Sequence, residues 1–422
     1  AGLDQRLRDG ADPTRVYSLF KAHPEYWTLA NVANPVILPA NASAYFREVI
    51  SAAYVMADAR SGNNRLRLTG GVRFERTQDQ GAGVKFDPAA GYLTNSAGQR
   101  VLNPDLVARA KAQYTERGER RSTGYQGSYP SLDASFNVTD NIVARAAYAK
   151  SIGRPDLGNL IPSTQLPDLT AAGPYVITTI NSSLQPTQTN SYDVSLEYYF
   201  TKTGVFSVGA FRKDFSNFVG ASVAQPATLD RLNELGIADA QAYVTAGASV
   251  SAAFNVGAAR VTGVEFNYSQ VLDAERLPAW VHNFTVYANG QQMHLEGSTL
   301  ADFSNFIPVS GSWGLKYGAK KFSAQVNWNY RGRQRLTQSS ITYGGTAHTD
   351  NGFFGYFKPR IYTDVNFAYR YNEKIGLFLN ARNLTNVVQD AQTYGPTSPS
   401  WSRTNMRQEF GVQYTVGLKG SF

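Results

Sequence analysis

The residues best suited to chemistry in this chain are aromatic and charged, and they fall in two stretches. Residues 332–360 carry Tyr343, Phe353, Phe354, Tyr356 and Phe357 with Asp350 and Arg360, and residues 387–405 carry Tyr394, Trp401 and Arg403. Aromatic rings offer flat faces on which a ligand's apolar surface stacks, while carboxylate and guanidinium groups hydrogen-bond its polar edges. That chemistry is capture rather than bond making. We therefore expect Tyr343, Asp350, Phe354, Tyr356, Tyr394, Trp401 and Arg403 to form a substrate-binding surface. The competing reading is that the rings pack the loops together or belong to an aromatic girdle.

Bond-making chemistry finds no comparable support. His23, His282, His294 and His348 show no metal-type spacing and no adjacent serine or carboxylate constellation, so no catalytic residue, metal ligand or cofactor is expected. The sequence has no cysteine, which excludes a disulfide framework and thiolate metal sites. The net charge is +8, but Lys and Arg are scattered with no stripe at helical spacing, so nucleic acid is not an expected partner. The clusters Arg117, Arg120, Arg121 and Arg331, Arg333, Arg335 read first as solvated faces, with lipid phosphates or an acidic ligand as the alternative.

The elements that must position the capture residues are strands. The stretch Phe410 to Phe422 alternates: Phe410, Val412, Tyr414, Val416, Leu418 and Phe422 against Gly411, Gln413, Thr415, Gly417, Lys419 and Ser421. Side chains of a strand switch faces at every residue, so one face is apolar and the other polar, over about the length a tilted transmembrane strand needs. No apolar run is long enough for a transmembrane helix. Charged residues are only 17% and aromatics reach 13%, a mix that suits an outer-membrane barrel with aromatic girdles.

Paired segments recur along the chain, joined by short polar turns at one end and long irregular loops at the other. The expected pairs are 45–57 with 66–77, 131–138 with 142–150, 191–200 with 205–218, 261–271 with 281–295, 312–317 with 322–330, and 361–371 with 375–386; the strand 410–422 stands alone. The long loops are expected at 78–130, 151–190, 220–258, 296–311, 332–360 and 387–405, with short helices at 105–113 and 229–242. Lumen-type positions include Asp193, Glu197, Glu265, Asn327, Asn329, Asp364, Asn366, Arg370 and Arg382, wall groups bonded to one another or to a plug. This makes thirteen strands, an odd number where bacterial single-chain barrels are even. Residues 1–44 are then the tail of an extracellular loop, lacking any charged and apolar signal segment, and 45–422 are barrel strands with their loops.

Particular strings carry a resemblance. They are Gly71-Val-Arg-Phe-Glu-Arg-Thr77, Tyr129-Pro-Ser-Leu132, Ala144-Arg-Ala-Ala-Tyr-Ala-Lys-Ser-Ile-Gly-Arg-Pro-Asp156, Asn190-Ser-Tyr-Asp-Val-Ser-Leu-Glu-Tyr-Tyr-Phe200, Gly263-Val-Glu-Phe266, Ala381-Arg-Asn-Leu-Thr-Asn386 and the terminal Phe422. In this order they resemble the carboxyl-terminal part of TonB-dependent outer-membrane receptors of the Caulobacter and Xanthomonas type. One departure is Leu184-Gln-Pro-Thr187, where the family carries Leu-Lys-Pro-Glu.

The resemblance implies an all-β transmembrane antiparallel barrel, of which this chain supplies about thirteen carboxyl-terminal strands out of about 22, without the plug. It implies import of a scarce nutrient, driven by TonB, across the outer membrane of a Gram-negative bacterium. A carbohydrate or related small molecule is favoured, with an iron chelate as the alternative. Implied partners are the amino-terminal plug and strands of the same receptor, the inner-membrane TonB complex through that part, outer-membrane lipids and, as a candidate, a surface lipoprotein. A passive porin and a soluble adhesin or fibre domain are the rival classes.

Overall fold

The structure is a computed structural model, and it describes residues 13–27, 31–181, 183–200, 203–220, 224–255, 257–273, 277–278, 280–297, 304–339, 341–343, 346–348 and 353–420. Its frame is one antiparallel ladder of long strands: β1 (Tyr45–Ser61), β2 (Leu66–Phe86), β3 (Tyr114–Asn137), β4 (Ile142–Gly153), β5 (Thr187–Phe200), β6 (Gly204–Ser216), β7 (Ala259–Val271), β8 (Phe284–Gly297), β9 (Val309–Gly318), β10 (Phe322–Arg331), β11 (Arg360–Arg370), β12 (Ile375–Arg382) and β13 (Gln413–Gly420). Each pairs with the next in chain order. Short loop pieces at Thr164–Gln165, Val176–Thr179, Gln225–Pro226 and Ser249–Ser251 complete a 17-stranded sheet. Among the described residues no ladder joins β1 to β13, so the sheet is open rather than a closed barrel.

Tight turns set the register at one end. Asn63 and Asn64 take φ of 54° and 66° between β1 and β2, a conformation asparagine tolerates better than most residues. Between β11 and β12, Asn372 Oδ1 accepts hydrogen bonds from the Lys374 and Ile375 amides at 2.9 and 2.7 Å.

The register then sorts side chains onto two faces. One face is continuously apolar and exposed, carrying Leu132, Val194, Leu196, Val208, Val264, Phe266, Leu315, Phe367, Leu379 and Val416. Near the tight turns this face carries a chain of rings: Tyr198, Phe200 and Tyr268, then Phe284, Tyr317, Phe322 and Phe367, with successive centroids 4.7 to 6.2 Å apart. An exposed apolar face of this extent belongs against lipid. Glu197, Glu265, Asn329, Asp364 and Arg382 stand on the other face.

Several sequence expectations need correction. The segment 78–130 is not a single loop: β2 runs to Phe86 and β3 starts at Tyr114, with Gln78 to Gly83 laddered against Gly124 to Glu119. Alternation fails there because the inner row is Thr77, Asp79, Gly81 and Gly83, roofed by residues 157–162; a side chain at Gly83 would strike the Pro162 carbonyl. The last strand starts at Gln413 rather than Phe410, because Gly411 takes φ of 75° and breaks the extended run. The helix expected at 229–242 is two, Leu229–Glu234 and Ala240–Thr245, interrupted at Asp239 with φ of 55°.

The helix Leu106–Gln113 begins one residue after Asp105, whose carboxylate caps the Val107 and Ala108 amides. Within residues 1–44, Pro13–Ala22 and Asn34–Ala42 are helical. Arg117 at the start of β3 donates to Ser43 Oγ at 2.9 Å.

Two loops that read as irregular share a core of their own. Leu166 and Ile177 from the loop after β4 pack with Leu232, Leu235, Ile237, Tyr243, Ala248 and Val250 from the loop after β6. The Tyr92 hydroxyl, in the loop between β2 and β3, donates to Asp168 and lies 2.8 Å from Thr170 Oγ1. The three loops thus form a bonded cap, tied to the sheet where Lys85 and Phe86 pair with Thr164 and Gln165.

Candidate ligand-capture site

Strands β5 to β12 curve around a polar trough of about 1040 Å³. Alternate residues face it, so its chemistry follows from the period of two. Arg145 holds Glu197 through two bonds of 2.7 and 3.2 Å, and the Tyr199 hydroxyl donates to the same carboxylate at 2.8 Å. Asn289 accepts from Ser312, Gln291 donates to Ser310, and Gln325 donates to both the Tyr287 hydroxyl and Asn327. Asp364 accepts from the Asn383 amide at 2.9 Å and from Asn329 at 3.4 Å. Glu265 has no hydrogen-bond or ion-pair partner among the described residues, so the trough keeps a carboxylate open, with Arg331 and Arg382 elsewhere on its wall.

The trough wall continues upward along β11. Arg360 donates to the Tyr362 hydroxyl at 3.1 Å and lies 5.3 Å from the centre of the Phe357 ring. Above it, loop strands Gln334–Gln338, Phe354–Phe357, Val388–Tyr394 and Thr404–Glu409 form a separate four-stranded sheet. Tyr394 is paired with Phe354 and Tyr356 with Gln392, so Tyr356 and Tyr394 are diagonal neighbours on adjacent strands, and their rings stack at 4.3 Å with an interplanar angle of 25°. Arg333 donates to the Tyr394 hydroxyl at 3.0 Å and covers the Tyr356 ring at 5.1 Å; Arg403 covers Tyr394 at 4.7 Å and Arg335 covers Phe354 at 4.7 Å.

A guanidinium over a ring is attracted by the ring's negative face, and its remaining N–H groups stay available in a fixed plane. Burial and the neighbouring Tyr394 raise the Tyr356 hydroxyl above its ordinary 10.0, against the pull of Arg333 and Arg335. It is therefore a neutral donor at any physiological pH.

Of the residues singled out in the sequence, Phe354, Tyr356, Tyr394, Arg360 and Arg403 come together in this way. Trp401 does not: it sits on the short turn Ser400–Ser402 and is 85% exposed. Tyr343 belongs to the strand Ile341–Tyr343, but its side chain, like Asp350, lies outside the described residues. Sequence reasoning set Arg333 and Arg335 aside as solvated cations; their one-in-two spacing beside a strand of aromatics was the available signal. Three of the four histidines take ordinary roles: His23 bonds Glu25 and stacks on Tyr26, His282 bonds the Leu277 carbonyl, and His294 lies 3.5 Å from Glu296; the side chain of His348 lies outside the described residues.

The sequence matches the family model described as TonB dependent receptor-like, beta-barrel, over residues 2–384. The chain belongs to the TonB-dependent receptor family. Solved structures carry the same fold. The ferric enterobactin receptor PfeA of Pseudomonas aeruginosa, as an R480A/Q482A mutant, is 17% identical with a TM-score of 0.55, covering 90% of this chain and 54% of that one. The ferric citrate transporter FecA in its unliganded form is 14% identical with a TM-score of 0.54, covering 89% and 45%. The copper transporter OprC is 15% identical with a TM-score of 0.52, covering 90% and 49%. This chain therefore spans about half the length of these solved structures. No curated protein matches the sequence.

Proposed function

We propose that this chain is the carboxyl-terminal, thirteen-stranded part of a 22-stranded outer-membrane transporter that captures a scarce nutrient and imports it with energy supplied through TonB. The observation that carries the capture half is the continuity of the arginine-capped Tyr356–Tyr394 stack with the polar trough, by way of Phe357, Arg360 and Tyr362. A ligand held between rings and guanidiniums above would meet hydrogen-bonding groups along the wall below.

Four guanidiniums, those of Arg333, Arg335, Arg360 and Arg403, lie over the faces of these rings. They favour an anionic ligand, an iron chelate among the candidates, as in the ferric relatives. A neutral carbohydrate is the second reading, supported by the asparagine, glutamine and serine groups of the trough and by the bare indole of Trp401. Calorimetric titration of the full receptor with ferric catecholate, ferric citrate and neutral oligosaccharides decides between them. Binding of none of these, with the barrel intact, would refute capture at this site.

The open ladder supports the rest. Edge strands in hydrocarbon leave backbone groups unsatisfied at a few kcal/mol each, so β1 and β13 need partners in the same receptor. Those partners are the amino-terminal strands, which would also bring the plug and the contact with the TonB complex. Intact-mass measurement and peptide mapping of the purified particle test this. A particle containing only residues 1–422, with β1 bonded to β13, would refute it.

A further inference from the structure

The outer face of β3 to β7 carries a feature that capture does not use. Ala134, Ala146, Val194 and Ala210 stand in one row across four strands. Leu132, Tyr148 and Tyr192 lie in the row above, and the Tyr148 and Tyr192 rings are 5.2 Å apart. Small side chains below bulky ones leave a groove of about 480 Å³ on the exposed apolar face, closed at its upper end by Arg212. Arg212 is the cross-strand partner of Tyr192, so the guanidinium lies at the level where aromatic belts mark the membrane boundary.

Arg212 belongs to a built cluster. Asp214 accepts from Arg212 Nε at 2.9 Å and from Arg260 Nε at 2.6 Å, each by a different oxygen. The two guanidiniums are thus fixed side by side with their terminal nitrogens left over, and their side chains remain 49% and 44% exposed. Lys150 belongs to the same cross-strand row through Asn190 and Asp214. Glu296 lies 3.9 Å from Arg260 and 3.5 Å from His294. Arg212, Arg260 and Lys150 outweigh Asp214 and Glu296, so the cluster is cationic.

Cations on the outward face of a membrane barrel are costly in hydrocarbon and favourable beside lipid phosphates. Paired guanidiniums match a phosphate's oxygens with charge-assisted hydrogen bonds. We propose that this groove binds one phosphate-bearing lipid of the outer leaflet, its phosphate on Arg212 and Arg260 and one acyl chain along the alanine floor beneath Tyr148 and Tyr192. The proposal rests on the outer-membrane reading of the chain, and deepens it by naming a lipid site.

The test uses native mass spectrometry of the full receptor in micelles, with dioleoyl phosphatidic acid as probe, dioleoylglycerol as the same chains without phosphate, and inorganic phosphate as competitor. The wild type should retain one phosphatidic acid at least about tenfold more tightly than dioleoylglycerol, and equimolar phosphate should not displace it. The double variant Arg212→Ala/Arg260→Ala and the groove-filling Ala210→Leu should each lose about tenfold. Lys213→Ala, on the opposite face of β6, should not.

Equal retention of the two lipids by the wild type overturns the proposal whatever the variants do. So does displacement by phosphate, which would mean an anion site without a lipid, or an unchanged Ala210→Leu. Failure of the wild type to fold into membranes, read by heat-dependent gel mobility, would instead reject the outer-membrane reading beneath it.

Discussion

Replacing Val416 or Thr415 with arginine puts the same charge on adjacent residues of β13 but on opposite faces. Val416 is 74% exposed on the apolar face, between Tyr414 at 63% and Leu418 at 73%, and pairs with Leu379. Thr415 pairs with Asn380 on the face that also bears Lys419. Val416 lies four residues from the end of β13 at Gly420, about 13 Å along the strand. With a strand tilt of roughly 40° that is about 10 Å of height, close to the middle of an apolar band about 25 Å tall.

Arginine there should cost on the order of 2 to 4 kcal/mol, whereas at Thr415 it can stay hydrated. At about 1.4 kcal/mol per decade the two variants should differ by roughly 30-fold or more in folding equilibrium. The assay folds the receptor from urea into phosphatidylcholine vesicles and reads the folded fraction by gel mobility across a urea series. Equal midpoints for Val416→Arg and Thr415→Arg would show that the two faces are misassigned, and with them the facing of the trough.

Tyr394→Ala combined with Arg333→Ala should weaken ligand binding by tenfold or more without changing the yield of folded receptor, because the pair shares one stack and one hydrogen bond; titration calorimetry reads it, and unchanged affinity would reduce these residues to loop packing. Trp401→Ala should change affinity only if the ligand reaches beyond the stack, since its ring is exposed apart from it; the same titration reports this. Leu232→Ala removes a fully buried side chain from the cap and should cost the cap about 2 to 5 kcal/mol, seen as new protease cuts within the loops 154–186 and 217–258 while heat-dependent gel mobility is unchanged. In the loop link to Tyr92, burial raises the pKa of Asp168, but hydrogen bonds from Tyr92 and Thr170 bring it below the usual 3.8 overall. A depressed carboxylate stabilises above its unfolded pKa and loses that stability as pH falls through its folded value. Hydrogen-exchange protection in residues 87–113, corrected for the intrinsic pH dependence of amide exchange, should therefore fall below about pH 4 in the wild type, and should show less of this dependence in Tyr92→Phe.

The membrane-spanning part of the ladder was legible because lipid imposes a period of two: Val365 and Phe367 against Asp364 and Asn366 can be sorted from the letters alone. Alternation stops being informative once both faces of a strand meet protein or water. Gln78 to Lys85 is a strand whose inner row is polar or glycine, and nothing in its composition separates it from a loop. The cap was missed for a related reason. Leu166, Ile177, Leu232 and Val250 are spaced across two loops and meet only in three dimensions. At the site, aromatic clustering located Tyr356 and Tyr394, but only the pairing of Phe354–Phe357 with Val388–Tyr394 shows that the two rings stack while Trp401 stands apart.

The cap's core comes from loop residues alone, so water, not hydrocarbon, is the solvent that drives its assembly. Its stability is then nearly independent of the bilayer that holds the ladder, and the two parts can fail separately. Sequence change can be absorbed unequally as well. Substitutions in the cap trade against one shared core, whereas the small sheet carrying Arg333, Tyr356, Tyr394 and Arg403 stands on strand extensions with few buried neighbours. New ligand preferences can arise in that small sheet at little cost to folding, and a cap transplanted whole between receptors would carry its own means of staying folded.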